Sequence, residues 1–143
     1  MSRSEHLLLP RQIHTAMLQH AQVELPNECC GILAGSRAQE GWRVERSYPL
    51  VNEAASTIEY RSEPRSMFQA IKEIRQQNHE ILAIYHSHPT TDPIPSGTDL
   101  ARNYSTDVVN FIIGMRGPTP LLRGWWLSET AFTEAAWEIV EVP

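Results

Sequence analysis

Apolar residues recur along the chain at two spacings, one helical and one extended. Behind Pro10, which suits the first turn of a helix, Ile13, Ala16, Met17, His20 and Ala21 fall on one helical face. Pro26 and Asn27 end that run. Residues 28–35, Glu-Cys-Cys-Gly-Ile-Leu-Ala-Gly, read as a buried strand closed by Gly35, and residues 42–51 and 57–61 read as two more strands. Ser62 and Pro64 open a second helix with Met67, Phe68, Ile71 and Ile74 on its inner face. Residues 81–86, Ile-Leu-Ala-Ile-Tyr-His, are almost continuously apolar, the pattern of a strand buried on both faces. A loop rich in Pro, Thr and Asp spans 89–95, and a short helix is predicted from Ser96 to about Tyr104. Strands are predicted near 108–113, 120–127 and 136–142. Strands interleaved with helices indicate an α/β layered domain.

Length and composition narrow this reading. A chain of 143 residues, 41% hydrophobic, suits one domain with one core. A net charge of −5 argues against a nucleic-acid partner, which would select a basic face. The apolar run Leu7–Leu9 is too short for a signal-peptide core. No stretch approaches the roughly 18 apolar residues of a membrane span. These features predict a soluble, cytoplasmic protein with no membrane partner. The two cysteines, Cys29 and Cys30, are adjacent. Neighbours rarely reach unstrained disulfide geometry, so both are read as small apolar residues of a buried strand. Trp125 and Trp126 are expected to split between core and surface, with one available to line a substrate groove.

The segment that carries chemistry is Tyr85-His86-Ser87-His88-Pro89-Thr90-Thr91-Asp92-Pro93-Ile94-Pro95-Ser96-Gly97-Thr98-Asp99. Side chains two apart on a strand share a face, so His86 and His88 can meet one ion. Ser96 and Asp99, three apart at a helix start, also lie on one side. Two neutral imidazoles and a carboxylate form a zinc ligand set that leaves a fourth position for water. Zinc lowers the pKa of such a water to about 7. A general base belongs beside it, and Glu28, heading a buried strand, is the candidate. Ser96 can cap its helix and can also donate to the oxyanion of a tetrahedral intermediate. With this chain's content of His, Ser and Asp, the pattern arises by accident in roughly four of ten thousand such chains. Asp92 is a second carboxylate, but its place beside Pro93 makes it a poor ligand. His6, His14, His20 and His79 read as ordinary helix or surface residues.

Glu28, His86-Ser87-His88-Pro89, Ser96 and Asp99 together resemble the JAMM motif of the MPN-domain metallopeptidases. Glu28-Cys29-Cys30-Gly31-Ile32-Leu33-Ala34-Gly35 matches that family's Glu-x-x-Gly-x-x-x-Gly pattern, and Pro49 and Asn52 stand where members often carry such residues. The resemblance covers nearly the whole chain and favours the compact prokaryotic members over the large eukaryotic ones. It implies a three-layer α/β/α fold with a mixed sheet, like that of the cytidine deaminases, whose own signature is absent here. It implies zinc on His86, His88 and Asp99, with Glu28 and Ser96 catalytic. It also implies hydrolysis of an amide after the Gly-Gly tail of a ubiquitin-like or sulfur-carrier protein. Glu28 would act as base and then as acid toward the leaving amine. The substrate tail is expected to lie along a strand edge near loop 89–95. A non-catalytic zinc scaffold and an amidohydrolase for small molecules are the alternatives, and the sequence leaves a homodimer open.

Overall fold

A computed structural model describes residues 6–103 and 105–142. In chain order the elements are β1 (Leu7–Pro10), α1 (Arg11–Glu24), β2 (Cys30–Ala38), β3 (Gly41–Leu50), α2 (Pro64–Gln76), β4 (Glu80–His88), α3 (Gly97–Ala101), β5 (Val109–Gly114), β6 (Leu121–Leu127), β7 (Phe132–Glu134) and β8 (Trp137–Val140). The strands form one mixed sheet in the order β7-β6-β5-β4-β2-β3-β1-β8. At its centre β4 runs antiparallel to β2 and parallel to β5. The start of β2, the end of β4 and the end of β5 therefore share one rim.

Each face of the sheet is closed by one long helix, giving three layers. On one side Met17 and Ala21 of α1 join Leu33, Val44, Tyr85, Phe111 and Ile113 in the larger core. On the other, Ala70 and Ile74 of α2 pack on Cys30, Ile32, Ala34 and Ile84. The sheet curls strongly. The rings of Trp42 on β3 and Trp126 on β6 meet edge to face at 5.7 Å between centroids. Their strands stand four places apart in the sheet order, which in a flat sheet means about 19 Å. Phe111 on β5 and Trp137 on β8 meet in the same way at 5.4 Å. Closure is completed by the chain itself, because Ala135 and Ala136 alone link the two outermost strands.

Several elements depart from the sequence reading. β2 does not stop at Gly35 but continues to Ala38. Gly35 instead marks a register shift against β3, where any side chain would run into the Arg43 carbonyl. No strand forms over 57–61; the single bridge there joins Asn52 and Ser62. The Asn52 side chain replaces the missing ladder, accepting from Arg61 N at 2.9 Å and donating to the Glu59 carbonyl at 3.2 Å. Phe68 is exposed, because the inner face of α2 runs through Met67, Ala70 and Ile74. On α1, Leu18 packs against the core in place of the exposed Ala16. Helix α3 covers only Gly97–Ala101, and its expected end, Tyr104, lies outside the described residues. The short strands β1 and β7 carry too few residues to show a periodicity.

Candidate metal centre

His86 and His88 sit inside β4 on the same face, and Asp99 rises to meet them from the first turn of α3. His86 Nε2 lies 3.1 Å from one Asp99 carboxylate oxygen and His88 Nε2 lies 3.0 Å from the other. The two Nε2 atoms are 3.2 Å apart. All three side chains are at least nine-tenths buried. One ligand atom from each lies within 4.8 Å of the others.

Local chemistry fixes each member. His88 Nδ1 donates to the Asp92 carbonyl at 2.9 Å, which turns its Nε2 toward the cluster, where it meets Asp99. The imidazole of His86 stacks on Tyr60, with centroids 4.8 Å apart. Asp99 is held by a reciprocal capping box. Its backbone N–H donates to Ser96 Oγ at 3.1 Å, and its carboxylate accepts from Ser96 N–H at 2.9 Å. Burial alone would raise the Asp99 carboxyl, but the hydrogen bonds from His86, His88 and Ser96 hold it well below the usual carboxylate range. His88 is the mirror case. Burial alone would lower it, yet the bonds to Asp99 and the Asp92 carbonyl raise it.

Glu28 lies two residues before the start of β2, at the same rim as His88. It is 3% exposed, and one carboxylate oxygen has no hydrogen-bond partner. Burial pushes its carboxyl up to about 8, opposed by His88 and reinforced by Asp99 and Glu59. Its backbone is pinned from both directions, with N–H donating to Ser56 O at 2.8 Å and C=O accepting from Asn52 Nδ2 at 3.0 Å. Asn52 uses all four of its hydrogen-bonding positions and is buried. The sequence marked Asn52 only by its position and did not mark Tyr60 at all, since both are joined to the centre through an irregular loop.

The remaining expectations separate cleanly. Asp92 offers its carbonyl to His88, while its side chain pairs with Arg116 at 3.2 Å on the surface. His6 pairs with Glu138, His14 stacks on Trp137 and His20 hydrogen-bonds Tyr85. His79 lies just before β4, at the opposite end of that strand from His88. Cys29 and Cys30 are free, buried thiols, as the strand reading required. Burial pushes them up to about 11 and about 12, so they are poor nucleophiles. The division of the tryptophans between core and surface does not hold. Trp125 and Trp126 are both buried, on opposite faces of β6.

The donor set fits a divalent zinc ion: two imidazole nitrogens and one carboxylate converge, with no fourth protein ligand among the described residues. A curled mixed sheet with this cluster at the strand end and helix start defines a JAB-type domain. The chain belongs to the prokaryotic homologues of the JAB domain, whose family profile matches residues 10–128. It is 29% identical over 136 residues to the CysO-cysteine peptidase of Mycobacterium tuberculosis, spanning 94% of this chain and 92% of that protein. It is 34% identical over 102 residues to a desampylase of Pyrococcus furiosus, spanning 71% of this chain and 68% of the other. Among solved structures, protein DSY2949 of Desulfitobacterium hafniense superposes with a TM-score of 0.86 at 31% identity, covering 95% of this chain and 94% of that one.

Proposed function

We propose that this protein is a zinc-dependent peptidase or isopeptidase that hydrolyses the amide after the C-terminal Gly-Gly tail of a ubiquitin-like or sulfur-carrier protein. The observation that carries this reading is the convergence of His86, His88 and Asp99 beside the buried carboxylate of Glu28, one oxygen of which lacks a hydrogen-bond partner. The names of two relatives, a peptidase and a desampylase, support hydrolysis over binding alone.

His86, His88 and Asp99 would hold the metal. Bound there, zinc supplies a Lewis acid and lowers the pKa of the attacking water. Glu28 takes the proton from that water and returns it to the leaving amine. Glu28, buried at the same rim as His88, is the carboxylate placed to take both steps. Ser96 Oγ accepts from Asp99 N–H, which leaves its own hydroxyl proton to donate to the developing oxyanion. His88 keeps its orientation through the Asp92 carbonyl. An extended tail approaches along loop 89–95, at the rim where Glu28 and His88 stand.

Elemental analysis of protein purified without added metal tests the centre, with about one zinc per chain expected. No metal, and none regained on adding zinc, would refute it. A Gly-Gly-tailed fusion protein then tests the chemistry. Glu28→Gln should retain zinc and lose most turnover, whereas Asp99→Ala should lose both. Full turnover in Glu28→Gln would remove Glu28 from the mechanism.

A further inference from the structure

Trp125 lies on β6, more than thirty residues after His88, yet its indole reaches the loop that orients that histidine. Trp125 Nε1 donates to the Pro93 carbonyl at 3.0 Å. The Asp92 carbonyl, one residue earlier, accepts from His88 Nδ1 at 2.9 Å and from Ile94 N at 2.8 Å. The second bond closes a three-residue turn around Pro93. The ring of Pro93 is buried against Gly114, the last residue of β5 and the register partner of His88. A Cβ at Gly114 would stand 2.5 Å from Pro93 Cδ and 2.9 Å from Pro93 N. Position 114 therefore has to lack a side chain for the turn to sit where it does. Trp125 also belongs to a small apolar cluster with Ile112 and Leu127, against which Leu100 of α3 packs. Leu100 follows Asp99 directly. One buried indole thus bonds the turn that supports the second imidazole and belongs to the cluster against which the carboxylate's neighbour packs.

We infer that Trp125 and Gly114 are positioning residues for the metal centre. They hold the Asp92–Ile94 turn so that the Asp92 carbonyl keeps the proton on His88 Nδ1 and Nε2 turned toward the cluster. The inference rests on the metal reading above but assigns something that reading does not contain, namely which distant residues set the affinity. Partners that orient a ligating imidazole affect metal affinity by roughly 10–100-fold. Trp125→Phe retains an aromatic ring and removes the indole donor to the Pro93 carbonyl. Gly114→Ala displaces the turn from its other side.

The test is zinc affinity of the full-length protein, measured by competition with a chromophoric chelator, alongside thermal melts of the metal-free forms. Trp125→Phe and Gly114→Ala are expected to bind zinc roughly 10–100-fold more weakly while still unfolding cooperatively. Trp126→Phe, a buried tryptophan on the opposite face of the same strand, is the control and should keep wild-type affinity. If Gly114→Ala does not fold, Trp125→Phe carries the test alone. Wild-type affinity in Trp125→Phe would overturn the inference. So would an equal loss in Trp126→Phe, which would mean general loosening of β6. Failure of the wild type itself to bind zinc would instead overturn the metal reading, and this inference with it.

Discussion

Replacing Glu28 by Gln should stabilise the metal-free protein, and by an amount that grows with pH. The carboxyl rises from an ordinary 4.5 to about 8 on folding, chiefly through burial. The folded state therefore binds this proton more tightly than the unfolded chain does. Its contribution to stability is complete below the unfolded value and is lost as pH rises toward and through about 8. Gln carries no such dependence. At about 1.4 kcal/mol per pKa unit, ionisation in the unfolded chain costs wild type about 1 kcal/mol at about pH 5 and about 3 kcal/mol at about pH 7. Gln brings an amide that also lacks a partner here, so the growth of the gap is the informative quantity, not its absolute size. For a domain of this length, roughly 3 °C per kcal/mol gives a widening of roughly 7 °C between those two pH values. Thermal melts of both proteins in excess chelator would measure it. A gap that stays constant across this range would refute the claim that Glu28 is buried as an uncompensated acid.

Three further outcomes follow from the geometry. Ser96→Ala removes the Oγ that caps α3 and should cost about 1 kcal/mol by denaturant titration; if the hydroxyl also serves the oxyanion, turnover should fall by roughly 10²-fold or more, and unchanged turnover would reduce Ser96 to a cap. Cys29 and Cys30, raised to about 11 and about 12 and almost fully buried, should resist iodoacetamide near neutral pH until denaturant is added, as mass spectrometry would show; rapid labelling of the native protein would contradict their burial. Asn52→Ala strips partners from the carbonyls of Glu28 and Glu59 and the amides of Ala54 and Arg61, and should cost about 2–4 kcal/mol in denaturant unfolding; a change within measurement error would show that the loop is not anchored through this residue.

Much of this arrangement was legible because its signals are local. The period-two spacing of His86 and His88 on an apolar strand, and the three-residue spacing of Ser96 and Asp99 at a helix start, both appear as read. So does the α/β layering, since β4 and α2 are long enough for their periodicity to show. What failed depended on distant partners. Residues 57–61 have a strand-like composition, but the Asn52 amide takes their backbone groups before a neighbouring strand can. Phe68 is one position off the buried face of α2, because the face is set by where the helix lands on Cys30 and Ile84. Trp125 and Trp126 alternate across a strand covered on both faces, so neither reaches solvent, and that covering is not visible in their own neighbourhood.

The two-residue link between the outermost strands has a bearing on how this molecule meets other chains. Borders that would ordinarily invite a foreign strand are here only three and four residues long, and each leads straight into the other. Such stubs are poor templates for recruitment, so these two borders are guarded against growing sideways into aggregates. The same guard steers visitors. An extended polypeptide gains little by lying along either stub, whereas the flank of β3 beyond Arg43, which β1 does not reach, keeps backbone groups for one to pair with.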